Sequence, residues 1–164
     1  MIQKKVCMLG APGVGKTSLV ARFVQSTFSD KYHSTLGVKI DKKTIMLDEQ
    51  EHALLIWDLA GEDEFATVQT SYLRGTAGCL LVVDGTRPVT LNTAIMLNER
   101  ATSVVGEVPA ILMVNKSDIT SEWAMDESML ESLAKSGWSV FRTSAKTGEN
   151  VEAAFLRLTL MMAQ

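Results

Sequence analysis

The 164-residue chain has little cysteine, no long hydrophobic run and no excess of positive charge. Its two cysteines, Cys7 and Cys79, lie inside short apolar runs without the Cys/His spacing of a metal site, so we interpret them as small buried hydrophobes in a reducing compartment. The net charge of -3 argues against a nucleic-acid partner. The longest apolar runs, such as residues 80–83 and 110–114, are too short to cross a bilayer. We therefore expect neither a disulfide framework nor an intrinsic membrane segment.

The size and composition are those of an ordinary globular protein. The chain is 46% hydrophobic and 21% charged, and its length falls within the range of one domain, so residues 1–164 are predicted to form a single domain. The first five residues run straight into an apolar strand and leave no room for a signal peptide. We expect a cytoplasmic location.

Strand-like and helix-like segments alternate along the chain. Strands are predicted at Gln3–Leu9, Val38–Leu47, His52–Asp58, Gly78–Val83, Pro109–Val114 and Ser139–Arg142. Helices are predicted at Lys16–Gln25, Leu91–Val105, Asp126–Ser136 and Asn150–Met162. This alternation indicates an α/β fold with a parallel sheet covered on both faces. The second and third strands are joined without a helix, which predicts an antiparallel hairpin at one edge.

The segment GAPGVGKT, residues 10–17, fits the phosphate-binding pattern G-x-x-x-x-G-K-[ST] at every fixed position and lies between a strand and a helix. Its glycines let the backbone turn so that N–H groups point at a polyphosphate, and the helix N-terminus adds a positive dipole end. Lys16 can reach the outer phosphates and the Thr17 hydroxyl can ligate Mg²⁺. The predicted phosphate-binding residues are Gly13, Val14, Gly15, Lys16, Thr17 and Ser18.

A second signal is the segment LIWDLAG at residues 55–61. Asp58 ends an apolar strand, where its carboxylate can hold Mg²⁺ through bound water, and the Gly61 N–H can meet a terminal phosphate. Taken alone, the same pattern also marks an ordinary turn.

Two further motifs point to guanine. In NKSD at residues 115–118, Asp118 can accept hydrogen bonds from the ring N–H and the exocyclic amine of guanine, a donor pair that adenine lacks. The Lys116 stem can pack over the base, and a backbone N–H of TSAK at residues 143–146 can reach the guanine carbonyl. The base-binding residues are predicted to be Asn115, Lys116, Asp118, Ser144, Ala145 and Lys146. Asp118 disfavours the alternative of a P-loop kinase or ATPase.

On these four motifs the chain resembles the small GTPases of the Ras superfamily over essentially its whole length. The segments TLGV (35–38), WDLAG (57–61) and SYLRGTAG (71–78) are most similar to the Rab branch. The resemblance implies a P-loop NTPase G domain with a six-stranded, mostly parallel sheet, one antiparallel edge strand and about five helices on both faces.

The resemblance also implies a GTP/GDP switch. Phe28 and Tyr32 would contact the nucleotide, and Thr35 would ligate Mg²⁺ only while the γ-phosphate is present. Thr35 and Gly61 would be released when that phosphate leaves. Effector, exchange-factor and GAP-type proteins would bind residues 28–38 and 61–72 of a monomer. The expected metal residues are Thr17, Thr35 and Asp58; the expected catalytic residues are Lys16, Thr35, Gly61 and Glu62.

Glu62 departs from the family, which usually has a glutamine there to orient the attacking water. A carboxylate beside the γ-phosphate is repelled by it and cannot donate a hydrogen bond when ionised, so we predict slow hydrolysis. Three alternatives remain: a solvent-facing Glu62 whose role a partner supplies, Glu62 as a base, and a constitutively GTP-loaded binding module.

Two other departures concern Pro12 and the end of the sequence. Pro12 removes one loop N–H and crowds the space that a partner's arginine would enter. The last residues carry neither a basic stretch nor a cysteine for prenylation, which leaves open a trimmed chain or a protein without a lipid anchor. Arg74 and Arg87 lack any spacing that would make one of them an intrinsic arginine finger, and they are assigned no role. Core packing is predicted for Met8, Met46, Met96, Met113 and Met129.

Overall fold

A computed structural model describes residues 2–29, 37–59 and 70–164, which form one six-stranded sheet with helices on both faces. The strands are β1 (Ile2–Leu9), β2 (Val38–Leu47), β3 (Gln50–Leu59), β4 (Thr76–Asp84), β5 (Ala110–Asn115) and β6 (Ser139–Arg142). The helices of the described ranges are α1 (Lys16–Gln25), α2 (Thr70–Leu73), α3 (Val89–Val105), α4 (Glu127–Lys135) and α5 (Val151–Met162), with a 3-10 turn at Thr120–Glu122.

The strand order across the sheet is β2-β3-β1-β4-β5-β6. β2 pairs with β3 in antiparallel register, and every other neighbouring pair is parallel. The prediction of a mostly parallel sheet with one antiparallel edge strand is therefore confirmed.

The central strands are apolar because both of their faces are covered. On β1, Val6 and Met8 join the core beneath α1 and α5, whereas Cys7 and Leu9 join the core beneath α3. Strands buried on both faces appear in sequence as continuous apolar runs, which is why these segments show no alternation. Cys7 and Cys79 are both free and buried, at register positions facing each other on β1 and β4. Burial raises the pKa of both thiols, that of Cys79 to about 12.

The parallel strands bring the motif segments to one edge of the sheet. Residues 10–15 follow β1, Asp84 ends β4, Asn115 ends β5, and residues 143–150 follow β6. Asp58 is the second-last residue of β3. The carboxyl ends of neighbouring parallel strands lie side by side, so residues far apart in sequence share this edge.

The methionine prediction is correct only in part. Met8 and Met113 are fully buried in the core. It is wrong for Met46, Met96 and Met129, whose side chains are at least half exposed. Met46 lies on the edge strand β2, which has a neighbour on one side only, while Met96 and Met129 lie on the outer faces of α3 and α4.

Within residues 2–29, 37–59 and 70–164, no helix has the length and apolar character needed to cross a bilayer.

Candidate functional site

Each backbone carbonyl of residues 10–15, the loop between β1 and α1, accepts a hydrogen bond. The donors are Lys16 Nζ to Gly10 (2.8 Å) and Ala11 (3.0 Å), Arg87 Nη2 to Pro12 (2.8 Å), Lys116 Nζ to Gly13 (2.9 Å), Asn115 Nδ2 to Val14 (3.0 Å), and the Leu19 N–H to Gly15 (2.9 Å). In a trans peptide the C=O and the following N–H point in opposite directions. The carbonyls of residues 12–14 are held by side chains from other elements, so the N–H groups of Gly13, Val14 and Gly15 point away from those side chains, an arrangement that binds anions.

Gly15 is required in this loop by both conformation and space. Its φ is 105°, in the left-handed region that favours glycine. A Cβ atom at this position would lie 2.3 Å from Nδ2 of Asn115, the group that holds the Val14 carbonyl. A side chain here would displace the donor that orients the loop.

Lys16, Thr17 and Ser18 form the first turn of α1. The first N–H groups of a helix have no acceptor inside the helix, and the dipole makes this end positive. Lys16 is only 6% exposed. Burial lowers the pKa of Lys16 to about 8, although the nearby Asp58 carboxylate acts in the opposite direction. A buried ammonium group held over the loop suits a strongly anionic ligand.

Asp58 offers a buried carboxylate next to the Thr17 hydroxyl. Thr17 Oγ1 donates to Asp58 Oδ2 at 2.5 Å, whereas Oδ1 is buried and accepts no hydrogen bond from the described residues. Burial raises the pKa of Asp58, and the Thr17 hydrogen bond and the charges of Lys16 and Lys39 partly oppose the rise. An oxygen-only donor pair with one unsatisfied carboxylate oxygen fits a hard cation such as Mg²⁺, bound directly or through water.

Asp84, at the end of β4, connects two of the loop donors. Its side chain is 1% exposed and pairs with Lys116 Nζ at 2.9 Å and Arg87 Nε at 3.0 Å. Burial alone would raise the pKa of Asp84, but hydrogen bonds from Thr86, Lys116 and Arg87 hold it below its usual value. The carboxylate therefore stays ionised and keeps both cations near the loop.

Asn115 connects the loop with the end of β6. Its Nδ2 holds the Val14 carbonyl, while its Oδ1 accepts from Thr143 Oγ1 at 3.2 Å. The side chain is 2% exposed and both of its polar atoms are used within the protein. Asn115 therefore holds the loop, while its Nδ2 carries a second N–H, and its contact with the base stays a prediction.

Asp118 has one carboxylate oxygen that accepts from a hydroxyl and one that has no donor among the residues that the structure describes. Its Oδ1 accepts from Ser144 Oγ at 2.8 Å, and the same hydroxyl accepts from the Thr147 N–H at 3.0 Å. No residue of the described ranges donates to Oδ2 of Asp118. A fixed carboxylate with an open acceptor can receive N–H groups from a nucleobase.

Arg22 of α1 holds the loop that follows β6. Its Nε donates to the Ala145 carbonyl at 2.8 Å and its Nη2 to the Lys146 carbonyl at 2.5 Å. By the same peptide geometry, the N–H groups of Lys146 and Thr147 point away from Arg22. This loop therefore resembles the first one in its fixed carbonyls. The Thr147 N–H is used by Ser144 Oγ, so the N–H that the loop turns toward a ligand is that of Lys146.

The structure brings together the sequence-predicted site residues of the two loops, the start of α1, and the ends of β3 and β5. Phe28 lies beyond α1 and is 37% exposed, with no ring contact to the described residues. Tyr32, Thr35, Gly61 and Glu62 lie outside the described residues.

Sequence reasoning missed Arg22, Asp84 and Arg87. Asp84 had a usable signal, because it ends an apolar strand just as Asp58 does. No pattern in the sequence indicates the contacts of Arg22 and Arg87.

Comparisons with known proteins agree with this geometry. The family model described as Ras family matches residues 5–164. The Ras-related protein Rab-1D of Dictyostelium discoideum is 36% identical over 156 residues, which cover 94% of this chain and 76% of that protein.

Proposed function

The chain belongs to the Ras family, and on that premise we propose that it forms one GTP-binding domain, residues 1–164, which works as a Mg²⁺-dependent switch with slow hydrolysis. Membership itself makes the chain a small GTPase that binds guanine nucleotide and acts through regulatory and effector proteins. The proposal adds the metal, the role of each residue and the slow rate.

Phosphate binding is assigned to Lys16 and to the N–H groups of Gly13, Val14, Gly15, Thr17 and Ser18. The observation that carries this assignment is the set of side-chain hydrogen bonds from other elements to the carbonyls of residues 12–14. A preorganised set of donors stabilises anionic charge without having to rearrange when the ligand arrives.

The proposed metal ligands are the hydroxyls of Thr17 and Thr35, with Asp58 holding a metal-bound water. Support comes from the buried Asp58 Oδ1, which lacks a donor among the described residues, next to the Thr17 hydroxyl. When bound, Mg²⁺ would neutralise charge on the outer phosphates.

Guanine recognition is assigned to Asp118, with the Lys116 stem over the base and a backbone N–H near Ala145 at the guanine carbonyl. The open Oδ2 of Asp118 and the carbonyls fixed by Arg22 support this assignment. Asn115 would hold the loop with one amide N–H and contact the base with the other.

Slow hydrolysis rests on Glu62, in the position where the family usually carries a glutamine. Partners would bind residues 28–38 and 61–72, as the resemblance to the small GTPases implies. The second candidate function, a binding module that stays loaded with GTP, is favoured by the same residue, and the bound nucleotide separates the two.

The test is to denature freshly purified protein and to identify the released nucleotide by chromatography. We expect GDP, and because cells contain more GTP than GDP, a GDP load would favour turnover. GTP would favour the binding module, and an adenine nucleotide would contradict the assignment of Asp118.

A matched pair of variants makes this test specific to the base. Asp118→Asn replaces one acceptor by a donor and should purify without guanine nucleotide, because it opposes a guanine donor with another donor. Glu131→Gln, an equal change at an exposed position of α4, should keep the wild-type load.

A further inference from the structure

We propose that Arg87 is a positioning residue of the phosphate-binding loop, which holds the peptide between Pro12 and Gly13 in its anion-binding orientation and so slows nucleotide release. The inference rests on the proposed function, because it concerns the same loop. Arg87 follows β4 and lies 75 residues from Pro12 in sequence.

Arg87 contacts a peptide group whose orientation matters more in this loop than in a loop without proline. Pro12 has no N–H, so the Gly13 N–H is the first donor that the chain offers after Ala11. Arg87 Nη2 donates to the Pro12 carbonyl at 2.8 Å. Because the carbonyl and the following N–H are antiparallel across a trans peptide, this bond turns the Gly13 N–H to the ligand side of the loop.

Arg87 is itself held by a buried anion. Its Nε contacts Asp84 Oδ2 at 3.0 Å, and the same oxygen lies 2.9 Å from Lys116 Nζ. Lys116 in turn donates to the Gly13 carbonyl at 2.9 Å. One carboxylate thus fixes two cations, which orient two consecutive peptides of the loop.

The geometry requires a guanidinium group. Nε and Nη2 of Arg87 donate to two different acceptors at once, a carboxylate and a carbonyl. The planar fork of arginine presents such donors in a fixed relation, whereas the ammonium of lysine is a single point charge at the end of a flexible stem. A lysine at this position is expected to keep the ion pair with Asp84 and lose the bond to Pro12.

This difference provides the experiment. Full-length wild type, Arg87→Met, Arg87→Lys and Arg157→Met are loaded with a fluorescent GDP analogue, and its release into excess unlabelled GDP is timed. Urea unfolding of each protein without nucleotide is measured in parallel. Arg157 lies on the exposed side of α5 and provides the matched control for loss of an arginine.

We expect Arg87→Met to release the analogue about tenfold faster than wild type, the size of one charged hydrogen bond. Arg87→Lys should also release it faster, by about threefold or more, but unfold at the wild-type urea concentration because Asp84 keeps a partner. Arg157→Met should match wild type in release.

If Arg87→Lys released the analogue at the wild-type rate, Arg87 would only compensate the charge of Asp84. That result would overturn the inference even if Arg87→Met fails to fold. Wild-type release by Arg87→Met would overturn it as well. If wild type fails to bind the analogue, the proposed function fails first, and that result is distinct from both.

Discussion

The side chain of Asp84 is 1% exposed, and its carboxylate contacts two cations, Lys116 and Arg87. Its pKa is held below the usual value of about 4 by hydrogen bonds that outweigh burial. A depressed pKa means that the ionised group stabilises the fold at pH values above the unfolded pKa. That stability is lost as the pH falls through the folded pKa.

We therefore predict that Asp84→Asn is less stable than wild type at pH 7, by about 1–3 kcal/mol, because two cations lose the negative charge that pairs with them. Below about pH 4 the difference should shrink, since wild type then loses the same contribution. Urea unfolding without nucleotide at pH 7 and at pH 3 measures both, with Glu131→Gln as the control. If the difference in free energy of unfolding between the two proteins did not change with pH, the ion pairs of Asp84 would contribute nothing to stability.

Glu62 leads to a second prediction at the residue scale. Glu62→Gln should raise the single-turnover rate of GTP hydrolysis, because the amide can donate a hydrogen bond and is not repelled by the γ-phosphate. The measurement follows phosphate release from protein loaded with GTP in the absence of partner proteins. The neighbouring change Glu64→Gln is the matched control for loss of one charge from the acidic segment at 62–64. An unchanged or lower rate in Glu62→Gln would remove the proposed cause of slow turnover.

Individual site residues differ in how far the sequence reveals them. Asp118, Lys16 and Thr17 belong to short motifs whose spacing is fixed by local backbone geometry, so the pattern contains them. Arg22 and Arg87 act on carbonyls 123 and 75 residues away in sequence. A contact of this kind depends on which strands are neighbours and on the reach of a long side chain, and no local pattern contains either.

At the scale of elements, helices were predictable from the recurrence of their core positions, and the central strands from short continuous apolar runs. α1 and β2 have the predicted bounds, whereas β3 and β4 extend beyond theirs at both ends. The polar residues at those ends pair with neighbouring strands through backbone hydrogen bonds, and a hydrophobic pattern does not detect such pairing. α2, four residues long in the described part of the chain, is too short to show a period.

The β2–β3 hairpin shows a local conflict that can be tested. Leu47 pairs with Gln50, so the turn consists of Asp48 and Glu49 alone, with φ values of 47° and 65°. Two-residue turns with positive φ at both positions favour Asn-Gly, because glycine has no Cβ to strain.

We predict that the double change Asp48→Asn and Glu49→Gly raises the free energy of unfolding by about 0.5–1 kcal/mol, the relief of strain exceeding the added freedom of the unfolded chain. Thermal or urea unfolding measures this gain. Glu51→Gly, two residues further on within β3, should instead lower stability by about 0.5–1 kcal/mol. If both variants were destabilised alike, the turn would not be strained.

At the scale of the whole molecule, the strand order explains why one ligand can stabilise distant parts of the chain. β1 lies between β3 and β4, so the loop after β1 meets Asp58 on one side and Asp84 on the other. Beyond β4, the end of β5 contributes Asn115 and Lys116, which reach the same loop. Binding of a nucleotide would thus depend on four parts of the sheet edge that the unfolded chain cannot bring together.

A ligand that binds only the folded state adds stability in proportion to the logarithm of its concentration over Kd, about 4 kcal/mol at a thousandfold excess. For a chain of this size such a gain raises the Tm by about 8–16 °C. We predict that removing nucleotide with a chelator of Mg²⁺ lowers the Tm by this amount, and that GDP with Mg²⁺ restores it. The measurement is a thermal melt followed by tryptophan fluorescence, with ADP as the matched control. Because adenine offers Asp118 no pair of donors, ADP should leave the Tm of the nucleotide-free protein unchanged. Equal shifts in Tm with ADP and GDP would mean that the site recognises the phosphates and not the base.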